Sequence, residues 1–161
     1  RSTLFPYTTL FRSRIVADSI CLIGLERIDR LDLLPALYES IMIPPAVQRE
    51  FGVILPWLEV APPTSSGIVI ALKMLVDEGE AEAIALARES SNLLILDDRD
   101  ARRVARQIGV SFMGTVGMLI KAKQAGVISS LKPLLDALEV NEFYLSEGLK
   151  LEALRLAGEI S

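Results

Sequence analysis

The run Leu93-Leu-Ile-Leu96 narrows what this chain can become more than any other stretch. Four consecutive apolar residues, entered through Ser90-Ser-Asn92 and left through Asp97-Asp98, read as a strand buried on both faces, the pattern of a parallel sheet flanked by helices. The flanks agree. Gly79 opens an Ala/Leu-rich run in which Ala83, Ile84, Leu86 and Ala87 recur at helical spacing, and a second helical segment follows the strand as far as Ile108. Carboxylates at the carboxyl end of a buried parallel strand lie where open α/β sheets place their ligands. Asp97-Asp98 therefore marks half of an acidic site.

The alternation repeats along the chain. Arg14-Ile-Val-Ala17 is a β-prone run ending at Asp18-Ser19, with helix-compatible residues 20–25 behind it. Asp29 to Leu37 predicts a short helix and Ser40-Ile-Met-Ile43 a second strand, stopped by Pro44-Pro45. Pro45 suits a helix's first turn and starts a helix to Phe51 that carries Glu50. Trp57 to Ala61 is a third strand. Thr64-Ser-Ser66 caps a helix from Gly67 to Val76, with Ile68, Ala71, Leu72 and Leu75 expected on its apolar face. Ser111-Phe-Met113 is a fifth strand, Val116 to Gln124 a helix, and Ser130 and Ser146 are expected to cap two more. This order predicts a three-layer α/β/α sandwich around a mainly parallel sheet of four to five strands.

Residues 3–13 read as the in-frame translation of a common short-read sequencing adapter, although their Thr, Phe and Tyr content also suits a native strand. Residues 1–13 are accordingly set apart as a non-native tail, leaving residues 14–161 as one domain. Without Arg1 and Arg12 the 17 basic residues fall to 15 against 21 acidic ones, a net charge of −6. So acidic a body is unusual for a nucleic-acid binder, and any such binding must be local or metal-assisted. Histidine is absent and cysteine occurs once, as Cys21. That removes Ser-His-Asp and Cys-His catalysis, internal disulfides and the usual zinc enzymes. Chemistry is left to carboxylates, lysine, hydroxyls or a hard cation held by oxygen. With no apolar run near the roughly 20 residues of a membrane span and no cleavable signal, the expected location is cytoplasmic.

Asp18 and Asp98 both end predicted parallel strands, so both should reach one edge of the sheet. Glu50 lies on the helix after the second strand and Glu80 in the first turn of the helix before the fourth. Carboxylates gathered within several ångström repel unless a cation compensates, and Mg²⁺ or Mn²⁺ is the natural counterion. Each acid also has a structural reading. Glu80 and Glu82 suit the positive end of a helix, and being two apart they cannot both face the site. Asp18, Asp97 and Asp98 are also good helix caps.

Several stretches together resemble the PIN-domain nucleases, in particular a VapC-like branch of prokaryotic PIN proteins: Ile15-Val-Ala-Asp-Ser19, Ile43-Pro-Pro-Ala-Val47 with Glu50, Gly79-Glu-Ala-Glu-Ala-Ile-Ala-Leu-Ala87, Leu96-Asp-Asp-Arg99 and Gly114-Thr-Val-Gly117. The resemblance covers nearly all of residues 14–157. It implies an essential quartet of Asp18, Glu50, Glu80 and Asp98, with Glu82 as second choice for the third acid and Asp97 as an assisting ligand. It further implies Mg²⁺- or Mn²⁺-dependent endoribonuclease activity, a toxin's role beside a cognate antitoxin, and a homodimer.

Ser19 is a candidate to orient a metal ligand or phosphate. Arg99, Arg102, Arg103 and Arg106 follow the acidic edge as i,i+4 pairs; Arg99 and Arg102 are the candidate RNA-phosphate ligands, against a reading of the row as solubilising surface. Phe51, Trp57 and Tyr144 offer stacking surfaces but are expected to pack in the core or an interface. Two competing functions stand beside the nuclease: a catalytically weak PIN-fold interaction module, and a phosphotransfer receiver, which lacks a convincing central phospho-acceptor.

Overall fold

The computed structural model describes residues 13–161. All but Ser13 of the adapter-like segment lies outside the described residues. Five strands form one parallel sheet in the order β3-β2-β1-β4-β5: β1 (Arg14–Ala17), β2 (Ser40–Ile43), β3 (Leu58–Val60), β4 (Leu93–Ile95) and β5 (Phe112–Met113). The chain runs outward from β1 to β3, then crosses back to lay β4 on the other side of β1. The strand order thus reverses between β1 and β4, where a doubly wound sheet opens a crevice at its carboxyl edge.

Helices α1 (Ser19–Arg27), α2 (Leu33–Leu37), α3 (Pro45–Phe51), α4 (Ser66–Leu72), α5 (Glu78–Ser90), α6 (Arg99–Gln107), α7 (Thr115–Gln124), α8 (Lys132–Val140) and α9 (Glu147–Leu156) flank this sheet in a three-layer sandwich. Ile15, Val16 and Ala17 of β1 and Leu94, Ile95 and Leu96 along β4 are wholly buried, which is why those runs carry no alternation of polar residues. Helix α5 lies across β1 and β4 and packs on α3 and α4. Covered on most sides, it buries Ala81, Ala83, Ile84, Ala85, Leu86 and Ala87 in near succession, and its alanines let it approach closely.

Three local expectations are corrected. The predicted helix from Asp29 shortens to α2, because Asp29 takes a left-handed φ of 58° in the turn that closes α1. The apolar face expected on residues 67–76 is only half covered: Leu72 is buried and Ile68 packs partly against the core, Ala71 and Leu75 are exposed, and Ile70 and Met74 add to the open apolar surface. Ser130 does not cap α8; Glu159 reaches back from the far end of the chain and accepts the backbone N–H groups of Leu131 and Lys132. Ser146, as expected, caps α9 by accepting from the Leu149 N–H at 3.1 Å.

Candidate active site

Strands β1 and β4 are paired with Ala17 opposite Ile95, and the Asp18 N–H donates to the Ile95 carbonyl at 3.1 Å. Asp18 and the Asp97-Asp98 pair therefore leave adjacent strands at one level. Asp18 is the N-cap residue of α1, yet its carboxylate accepts no capping bond. Its side chain is buried, with the residue 2% exposed, and Oδ1 has no hydrogen-bond partner. An orphaned buried carboxylate oxygen is costly and rare. Burial pushes the Asp18 carboxyl up to about 7; a hydrogen bond from the Ser19 backbone opposes this, while the charges of Asp77, Glu50 and Asp97 reinforce it.

The neighbouring acids are held differently. Asp98 caps α6, its Oδ2 accepting from the Ala101 N–H at 2.9 Å. Asp97 has both oxygens engaged by Thr115, the first residue of α7, through the backbone N–H at 2.9 Å and the hydroxyl at 2.6 Å. Arg102 stands 4.0 Å from Asp97, and Gly114 makes room for that guanidinium, because a Cβ there would collide with it. Glu80 is buried and shares a capping box with Asp77: the Glu80 N–H donates to Asp77 Oδ1 at 2.8 Å, and Glu80 Oε1 accepts from the Asp77 N–H at 3.2 Å. Burial pushes the Glu80 carboxyl up to about 7, and the charges of Asp77, Asp98 and Asp18 add to it against the Asp77 N–H bond. Glu82 turns elsewhere, its Oε1 accepting from the Ala46 N–H at the start of α3 at 3.0 Å. Glu50 is exposed on α3 and lies against Gly79, where a Cβ would meet its Oε1. Partial desolvation raises the Glu50 pKa, the Ser19 hydroxyl opposes, and Asp77 and Glu78 reinforce the rise.

Asp18, Glu50, Glu80 and Asp98 thus border one acidic region, with Ser19 beside Glu50, and Glu82 is directed to a backbone amide. Asp77, whose charge acts on Asp18, Glu50 and Glu80 alike, escaped the sequence reading. Its signal was present as the capping-box spacing Asp77-Glu-Gly-Glu80.

Residues 14–159 match the family model described as PIN domain. The chain belongs to the PIN-domain family. No curated protein matches it. PIN domains are in general nucleases, act on nucleic acid and typically use divalent metal ions, so the acidic region of this one can be tested for its fit to a cation.

The residues fit. The donors are all oxygens, one buried oxygen is unpartnered, and two carboxyls are pushed toward the protonated form by burial and mutual repulsion, a strain that a divalent cation relieves. Among the described residues no three acids close around one point as a ready-made cage. A small cation that keeps several waters and takes few protein ligands does not require one. The PIN domain also carries cations beside its acids: Arg102 donates to the Leu96 carbonyl at 2.7 Å, and Arg99 is exposed at the start of α6. Among the described residues no helix is long and apolar enough to cross a membrane.

Proposed function

We propose that residues 14–161 form one VapC-like PIN domain that hydrolyses RNA phosphodiester bonds as a Mg²⁺- or Mn²⁺-dependent endoribonuclease, acting in the cytoplasm as the toxin of a toxin–antitoxin pair. The observation that carries this reading is the unpartnered, buried Oδ1 of Asp18 at the reversal point between β1 and β4, among acids that raise its pKa. Asp18, Glu50, Glu80 and Asp98 would hold one or two cations, each through few carboxylates and several waters, with Asp97 assisting by fixing the loop. The bound ion would supply an activated water and neutralise charge on the scissile phosphate. Ser19 would orient a metal ligand or a phosphate, and Arg99 and Arg102 offer positive charge to the phosphates flanking the cut. The cognate antitoxin would block the acidic cleft, and the exposed apolar residues on and just after α4 are the face assigned to the homodimer.

The deciding experiment is cleavage of single-stranded RNA by the purified chain with Mg²⁺, Mn²⁺ or chelator. Ion-dependent cleavage, abolished by Asp18→Asn and by Asp98→Asn, is expected. One observation favours the interaction-module reading: Asp97, Asp98 and Glu80 each serve a helix terminus, as purely structural acids would. Folded protein that is inert with either ion yet binds the product of a neighbouring gene would establish that reading instead.

A further inference from the structure

Two hollows meet beside the acidic region, and three residues belong to both. One, of about 380 Å³, has an apolar wall of Ile20, Ile23 and Phe143 and reaches Asp97 and Asp98. The other, of about 560 Å³, is walled by Arg99, Arg102, Arg103 and Arg106. Asp97, Arg99 and Tyr144 line both. The first hollow lies within the roughly 300–1,000 Å³ of small-molecule sites, large enough for a flat heterocycle.

Tyr144 is 84% exposed, far from the packed position that a structural tyrosine takes. Its place is nonetheless fixed by its neighbours. Glu142 turns the chain sharply after α8 with a φ of 69°, the Phe143 N–H donates to the Leu138 carbonyl at 2.9 Å, and the Phe143 ring sits so close to Gly24 that a Cβ there would lie 2.9 Å from it. A well-anchored turn thus presents a bare aromatic ring. On the other side, Arg106 lies over the Phe112 ring at 5.2 Å, Arg103 pairs with Asp100 in the open, and Arg99 makes no ion pair among the described residues. Charge is divided unevenly: the apolar hollow is edged by Asp97, Asp98 and Glu142 as well as by Arg27 and Arg99, while Arg102, Arg103 and Arg106 stand beyond it.

We infer that this surface binds single-stranded RNA, with an unpaired base stacked on Tyr144 in the apolar hollow and the neighbouring phosphates on Arg99, Arg103 and Arg106. An exposed aromatic beside a row of cations is the arrangement that holds unpaired strands, and a duplex, whose bases are stacked inside it, cannot use the ring. The inference shares with the nuclease reading only the identity of the polymer; binding does not require cleavage.

The test is fluorescence anisotropy with a short labelled single-stranded RNA in chelator, so that no cleavage occurs, comparing the wild-type chain with Tyr144→Ala, Tyr144→Phe and Arg103→Ala/Arg106→Ala. Tyr144→Ala should bind about tenfold more weakly and Tyr144→Phe like wild type. The double arginine variant should bind more weakly and flatten the salt dependence, by about 0.7 in log–log slope for each phosphate that is no longer neutralised. Unchanged melting of Tyr144→Ala is expected of so exposed a side chain and separates binding from folding. Wild-type affinity in Tyr144→Ala, or equal binding of the same sequence as a duplex, would overturn the inference; if that variant instead lost only antitoxin binding, the surface would belong to a protein partner. RNA held in chelator but never cut with Mg²⁺ or Mn²⁺ would refute the nuclease and leave this inference standing.

Discussion

Asp97 grips Thr115 at two points, one oxygen accepting its backbone N–H at 2.9 Å and the other its hydroxyl at 2.6 Å, across 18 residues of sequence. The clasp ties the loop after β4 to the first turn of α7, and so fixes the backbone from which Asp98 projects. Thr115 is wholly buried, so Thr115→Val leaves one Asp97 oxygen without its donor. A loss of about 1–3 kcal/mol in urea unfolding is expected, with Thr115→Ser close to wild type. Equal stability of the valine variant would show that the clasp contributes nothing.

Gly79 lies in the first turn of α5, where an alanine would ordinarily add about 0.5–1 kcal/mol. Here the new Cβ would meet the Glu50 carboxylate, which is the mobile end of an exposed side chain and can swing away. Gly79→Ala should therefore change stability by less than about 1 kcal/mol while weakening Mn²⁺ binding, read by calorimetry, by roughly tenfold or more. Unaltered Mn²⁺ affinity would remove Glu50 from the cation's ligands.

The raised carboxyls of Asp18 and Glu80 fix the sign of a pH effect. Each binds its proton more tightly folded than unfolded, so metal-free protein is most stabilised below the unfolded values near 4 and loses that stability as pH rises through about 7. Melting without cations should fall between about pH 5 and pH 8, by on the order of 1–3 kcal/mol. Mn²⁺ should raise the melting temperature more at the upper end, and Asp18→Asn should flatten the metal-free profile and abolish the Mn²⁺ effect. At the acid end, hydrogen bonds from Leu131, Lys123 and Lys132 outweigh burial and hold the Glu159 carboxyl down at about 2. Its contribution is present above the unfolded value and fades as pH falls through that range. A metal-free profile that rises toward pH 8 would contradict the assignment.

Glu80 and Glu82 are separable by chemistry. Glu80→Gln keeps an acceptor for the Asp77 N–H and removes a repelled charge, so it should fold at least as stably as wild type but cut RNA poorly. Glu82→Ala leaves the Ala46 N–H without its acceptor and should cost about 1–2 kcal/mol with cleavage per folded molecule intact. The reverse pattern in the cleavage assay would make Glu82 the third acid.

Ile70 is 66%, Met74 82% and Leu75 63% exposed, an apolar surface that the sheet does not cover. If this is the face two copies share, Ile70→Asp should convert dimer to monomer in light scattering without lowering the monomer's melting point. A wild-type chain that is monomeric at every concentration would exclude the pairing.

The sheet was legible because its signals are local. An unbroken Leu93–Leu96 run, a β-prone Arg14–Ala17 and Pro44-Pro45 after Ser40–Ile43 each fix an element within a few residues, and the placing of Asp18 and Asp98 just past the ends of β1 and β4 follows from them. Capping chemistry was legible for the same reason at Ser146 and failed at Ser130, where the acceptor comes instead from Glu159, 29 residues away. The α4 segment misled because apolar periodicity states that a face must be covered and does not state by what.

Sequence alone determined the α/β alternation, the exclusion of histidine and disulfide chemistry, and the set of acids eligible for a site, since all of these depend on residue type and short-range spacing. Only the folded chain decided which acids are repelled and which are satisfied: Asp18 keeps an unpartnered oxygen, Asp97 gives both of its own to Thr115, Glu82 turns to Ala46, and Asp77 enters the group unannounced. Burial and pairing arise between segments distant in the chain, and a carboxylate's ionisation follows those neighbours rather than its place in the sequence.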